Sequence, residues 1–131
     1  MRTLGQKRAE FALRRVLEAT AGLDKKSKEE FANFTAGAPS MILQNGFGQA
    51  LAFWFSKGKD NVKYMTLFRI IMDWLSYDNR NDIKNNFVPK TEKPSEFLEE
   101  LSKMDQKKYL TAQKESLALL EWIKRFAKAD L

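Results

Sequence analysis

The chain has 131 residues, enough for one domain of ordinary size, which buries roughly two-thirds of the surface that its unfolded form exposes. Its 23 Lys and Arg against 17 Asp and Glu give a net charge of +6, which favours polyanions or an acidic protein partner without choosing between them. The absence of cysteine and histidine excludes disulfides, thiolate chemistry and Ser-His or Cys-His pairs, and removes the usual general base and most zinc and iron sites.

The opening residues, MRTLGQKRAEFALRR, hold no apolar core of a secretory signal, so Met1 is expected to be the true start and the cytoplasm the expected location. The most apolar region, Met41 to Phe55, is interrupted by Gln44, Asn45 and Gln49 and falls short of the roughly 20 residues a membrane span requires, so no membrane partner is expected. Helical spacing dominates the chain and no run alternates as a strand does. We therefore read an all-α protein: one compact bundle of about five to six helices over residues 1–131, with a long C-terminal helix.

A first helix over 3–21 gathers Ala9, Ala12, Leu13, Val16, Leu17 and Thr20 on one face, with Gly22 placed for a left-handed cap. Ser27-Lys-Glu-Glu30 has the pattern of a capping box and predicts the start of a second helix that ends near Gly37. Pro39 suits the first turn of a third, running to about Ser56. That helix contains QNGFGQALAFWF, whose Gly46 and Gly48 match only the first two glycines of a dinucleotide fingerprint. With no strand before it and no Lys-Ser/Thr after it, the spacing predicts small residues that admit a neighbouring helix.

Asp60 or Asn61 is placed to cap a fourth helix striped by Tyr64, Leu67, Phe68, Ile71, Trp74 and Leu75. The polar segment 77–94, including Asp78-Asn-Arg-Asn-Asp82 and two prolines, is expected to be a mobile connection anchored by Ile83, Phe87 and Val88. A short fifth helix over 95–103 would bury Phe97, Leu98 and Leu101. The sixth, over 106–128, spreads Tyr109, Leu117, Leu119, Leu120, Trp122, Ile123 and Phe126 around more than half its circumference, which predicts the central helix of the bundle.

No catalytic, metal or cofactor site is read from the residues, and no cofactor is expected. The carboxylates near helix starts, Glu29, Glu30, Glu96, Glu99 and Glu100, suit the helix dipole. Two basic clusters are candidates for RNA contact. Lys7, Arg8, Arg14 and Arg15 lie opposite the apolar face of the first helix, with Phe11 among them and out of step with the core stripe. Phe11 either stacks on a base or packs on a neighbouring helix or subunit, which makes it the candidate partner contact. On the last helix Lys107, Lys114 and Arg125 align within about 20°, with Lys128 about 60° aside and Glu121 interrupting them. The first-helix cluster is favoured, because it sets four cations within nine residues.

The order of motifs resembles a known family. Pro39-Ser-Met-Ile42, Asn45-Gly-Phe-Gly-Gln-Ala-Leu-Ala-Phe53, Trp74-Leu75 and the run from Tyr109 through Trp122-Ile-Lys-Arg-Phe-Ala127 are similar to the small subunit of type III-B (Cmr) CRISPR effector complexes. The resemblance spans nearly the whole chain and implies a non-catalytic helical bundle in antiviral defence. It further implies partners: other subunits including the backbone subunits, adjacent copies of itself, and guide and target RNA. No individual RNA contact carries over, although Lys124 and Arg125 lie in the shared motif. The alternatives are an independent helical nucleic-acid-binding protein and a metal-dependent nuclease, the latter disfavoured by the missing histidines and unpaired carboxylates.

Overall fold

A computed structural model describes residues 1–79, 82–129 and 131. Among the described residues six helices carry the fold: α1 (Leu4–Thr20), α2 (Lys25–Asn45), α3 (Phe47–Lys57), α4 (Val62–Leu75), α5 (Pro94–Lys103) and α6 (Gln106–Lys128). Between α4 and α5 lie two short antiparallel strands, β1 (Asp78–Asn79) and β2 (Ile83–Lys84), pairing Asp78 with Lys84 and Asn79 with Ile83. No described helix is long and apolar enough to cross a membrane.

Each helix start has a local cause. Thr3 and Gln6 form a reciprocal capping box on α1, the Thr3 hydroxyl accepting from Gln6 N at 3.1 Å and the Gln6 amide oxygen from Thr3 N at 2.8 Å. Gly22, at φ 77°, leaves α1 in the left-handed conformation expected of it. Asn61 and Asp105 cap α4 and α6 through Lys63 N and Lys108 N.

At α2 the cap is Asp24, whose carboxylate accepts from Ser27 N at 2.8 Å, so Ser27 is the third residue of the helix rather than its cap. That hydrogen bond holds the Asp24 carboxyl below the usual aspartate range. A carboxyl depressed in the folded state stabilises fully above its unfolded value, near pH 4, and its contribution fades as pH falls through the folded value. Asp24→Ala is thus expected to lower the melting temperature at neutral pH. The gap to the parent should narrow as pH falls below the ordinary aspartate range and the carboxyl takes up its proton, and a gap that stays unchanged in acid would show that Asp24 does not act through its charge.

The predicted break at Gly37 to Pro39 is absent, and α2 runs straight through Pro39. Phe31, Thr35, Ala38 and Ile42 continue one buried face across it. Packing of that face against α6 outweighs the roughly 3 kcal/mol that an interior proline costs. The chain breaks instead at Gly46, where φ 89° and ψ 153° fall in a region essentially closed to other residues.

The central role expected for α6 is observed, since it packs chiefly on α2 and α1. Arg8 meets Glu115, and Val16 and Thr20 share a groove with Phe126, so α1 runs parallel to α6. The start of α2 lies at that same groove while Gly48, just beyond its end, meets Tyr109, so α2 runs antiparallel. Gly48 N–H donates to the Tyr109 hydroxyl at 2.6 Å, and a Cβ on Gly48 would stand 3.1 Å from that oxygen. Close approach therefore explains Gly48, but not Gly46, where among the described residues nothing beyond the two chain neighbours lies within 4 Å of a Cβ position.

The described part of the 77–94 connection is tied to the end of α4 rather than standing clear of the bundle. Asn85 Nδ2 donates to the Trp74 carbonyl and Asn85 N to the Tyr77 carbonyl, both at 2.7 Å, while Phe87 N and Val88 N donate to the Leu75 carbonyl. The Trp74 and Leu75 carbonyls are among those that a helix end leaves open. Ile83 and Val88 are buried as expected. Arg80 and Asn81 of the polar run lie outside the described residues.

Candidate nucleic-acid interface

The two basic clusters differ in what their cations already touch. In α1, Arg8 grips Glu115 of α6 with two hydrogen bonds, Nε to Oε2 at 2.5 Å and Nη2 to Oε1 at 2.8 Å. Glu115 is only 5% exposed, and Trp74 Nε1–H donates to its Oε2 at 2.9 Å. The carboxylate raises the already high pKa of Arg8, so this charge is fixed at any ordinary pH. Arg15 Nη1 donates to Asp73 at 2.8 Å, and Lys7 Nζ donates to the Asp82 carbonyl at 2.7 Å and lies 3.5 Å from its carboxylate. Arg14 alone of the four is exposed and joins no ion pair among the described residues.

Phe11 is 5% exposed, so of its two expected roles, stacking on a base or packing on a neighbouring helix or subunit, it takes the packing on a neighbouring helix. Its ring lies 4.9 Å from both Trp74 and Tyr77, and the Arg15 guanidinium covers it at 5.4 Å. The cause is that α1 faces two neighbours, α6 and α4, so its buried arc is wider than a single stripe. Phe11 fills the part turned to α4.

On α6 the outcome is the reverse. Lys107, Lys114, Arg125 and Lys128 are exposed and join no ion pair among the described residues. Glu121, which interrupts the stripe, pairs with Lys124 at 3.3 Å. Trp122 was expected in the core arc, yet it is 37% exposed beside this stripe, its ring stacked on Phe126 at 5.8 Å and 26°. Basic side chains that keep their charge free and an accessible indole form the combination that single-stranded nucleic acid requires, phosphates meeting the cations and a base meeting the ring.

The family model described as CRISPR-associated protein (Cas_Cmr5) matches residues 4–130. The chain belongs to this Cmr5 family. Among its relatives is a CRISPR system Cmr subunit Cmr5 of Thermus thermophilus, 32% identical over 129 residues that cover 98% of this chain and 96% of that protein. The crystal structure of a CRISPR-associated Cmr5 family protein from the same organism superposes with a TM-score of 0.74 at 30% identity, covering 98% of this chain and 97% of that one.

Within this Cmr5 fold, the residues that periodicity missed are the acidic partners Asp73, Asp82 and Glu115. Their cations stand 58, 75 and 107 positions away in sequence. One local signal existed for Glu115. It sits among Ala112, Ser116 and Leu119 on the face that becomes buried, where a lone carboxylate needs a partner.

Proposed function

We propose that the chain is a non-catalytic small subunit of a cytoplasmic type III-B CRISPR RNA-guided complex, packing against backbone subunits and adjacent copies of itself and meeting guide or target RNA along the outer face of α6. The observation that carries the choice of face is the contrast between the free cations of α6 and the intramolecular pairing of Lys7, Arg8 and Arg15. Family membership supports the place in a Cmr complex. The non-catalytic role is supported by the lack of any cluster of three or more potential metal ligands among the described residues. It is supported too by Glu115, whose oxygens are already committed to Arg8 and Trp74.

Affinity isolation of the native complex, with sequencing of bound RNA, tests this reading against an independent regulator or a nuclease. Other Cmr subunits and guide RNA should co-purify, and the purified chain should cleave neither RNA nor DNA with magnesium or manganese. Isolation of the chain alone on DNA, or cleavage abolished by changing one of its carboxylates, would contradict it.

A further inference from the structure

The corner between α3 and α4 holds aromatic and basic side chains that neither cluster includes. Phe53, on α3, is 43% exposed. Its ring meets Tyr64 edge to face at 6.1 Å and 88°, Tyr64 meets Phe34 at 4.8 Å, and Phe34 meets the fully buried Trp54 at 5.6 Å. These contacts anchor the Phe53 ring to the core by its surroundings while leaving much of it open to solvent. Lys57 Nζ lies 5.8 Å from the Phe53 ring, and Lys63 Nζ lies 5.4 Å from the Tyr64 ring and 6.0 Å from the Phe34 ring. Lys57 and Lys59 are exposed, and neither they nor Lys63 joins an ion pair among the described residues. Asp60 is the one carboxylate in the turn between the two helices.

We propose that this corner is a stacking site for an unpaired RNA base, Phe53 receiving the base and Lys57, Lys59 and Lys63 the flanking phosphates. The inference rests on the reading that the chain contacts RNA, but it names a separate site and a narrower ligand. Exposed ammonium–ring contacts are weak and exchangeable. A lysine that leaves the ring can therefore turn to a phosphate while the vacated face takes a base. Every base has a π-face to offer, so the site is indifferent to sequence, but a base inside a duplex is already stacked on both sides. A protein partner could also cover the patch, yet its excess positive charge matches a polyanion better than an apolar surface.

Fluorescence anisotropy of the full chain with a labelled 12-nucleotide oligouridylate, and with an abasic ribose-phosphate strand of equal length, tests the proposal. Phe53→Leu keeps apolar contact with Tyr64 but removes the flat ring. It should weaken oligouridylate binding by about fivefold or more and leave abasic binding unchanged, whereas Phe53→Trp should retain both. Replacing Lys57 and Lys63 with Gln should weaken both strands alike and reduce the salt slope by about 0.7 per lost phosphate contact. Undiminished oligouridylate binding by Phe53→Leu would overturn the stacking site, and equal loss on both strands would reassign Phe53 to folding or to a protein contact. If Phe53→Leu is silent while neutralising α6 weakens binding, this site falls and the α6 reading stands; the opposite pattern removes α6 and keeps the corner.

Discussion

Replacing Glu115 with Ala should lower the unfolding free energy by about 3 kcal/mol, at the lower end of the range for a broken buried ion pair. The carboxylate is 5% exposed and accepts two hydrogen bonds from Arg8 and one from Trp74 Nε1. Its removal leaves a fully buried indole N–H without a partner and a guanidinium without its counter-charge. The Arg8 side chain keeps 21% exposure, so water recovers part of that loss. Arg8→Met should be at least as costly, because the carboxylate left behind is the more deeply buried partner. Changing both, Glu115→Leu with Arg8→Met, should recover the part of the loss that comes from an unpaired buried charge, since apolar replacements of a buried pair are often neutral, but not the part left by the unpartnered Trp74 N–H. Urea unfolding of Glu115→Leu, Arg8→Met and the double variant that combines them measures the coupling. Two single losses below about 1 kcal/mol that simply add would mean that the pair is neither buried nor coupled as described.

Substitutions at Gly46 should cost about 1–3 kcal/mol each, and Gly46→Ala should cost nearly as much as Gly46→Leu. The spacing of small residues predicts overpacking here, in which case Leu would be costly and Ala almost free. The structure assigns another cause. Among the described residues nothing beyond its two chain neighbours lies within 4 Å of a Cβ at Gly46, but φ 89° with ψ 153° strains any L-residue, whatever its size. Thermal unfolding of the pair separates the two: a neutral Gly46→Ala beside a destabilised Gly46→Leu would restore the overpacking account.

The parts of the fold legible in the sequence are those set by local periodicity and local caps. Helix α6 begins and ends where its apolar arc and Asp105 place it, and α4 is capped by Asn61, one of the two residues expected to do so. Pro39 misled because a local breaker was overridden by tertiary packing of Phe31, Thr35, Ala38 and Ile42. The hairpin of β1 and β2 is two residues per strand, too short for alternation to register.

The candidate interface was legible as an inventory of cations but not as an order of preference. A wheel drawn for one helix places Lys7, Arg8 and Arg15 away from its apolar stripe, and it cannot show that Asp82, Glu115 and Asp73 wait on other elements. Density of charge in sequence favoured α1, and freedom of charge in the fold favours α6. Phe53 escaped notice because it lies in the most apolar stretch of the chain, where one more aromatic reads as core.

Whether α6 is the RNA-facing helix is decided by the salt dependence of single-stranded RNA binding. Replacing Lys107, Lys114, Arg125 and Lys128 with Gln should flatten the slope of log affinity against log salt by up to about 2.8, at about 0.7 per phosphate contact, with the melting temperature little changed because these side chains are exposed. Replacing Lys7, Arg8, Arg14 and Arg15 should instead lower the melting temperature, through the lost partners of Asp82, Glu115 and Asp73, and leave the slope nearly as it was. A slope that survives neutralisation of α6 and collapses in a folded α1 variant would contradict the account.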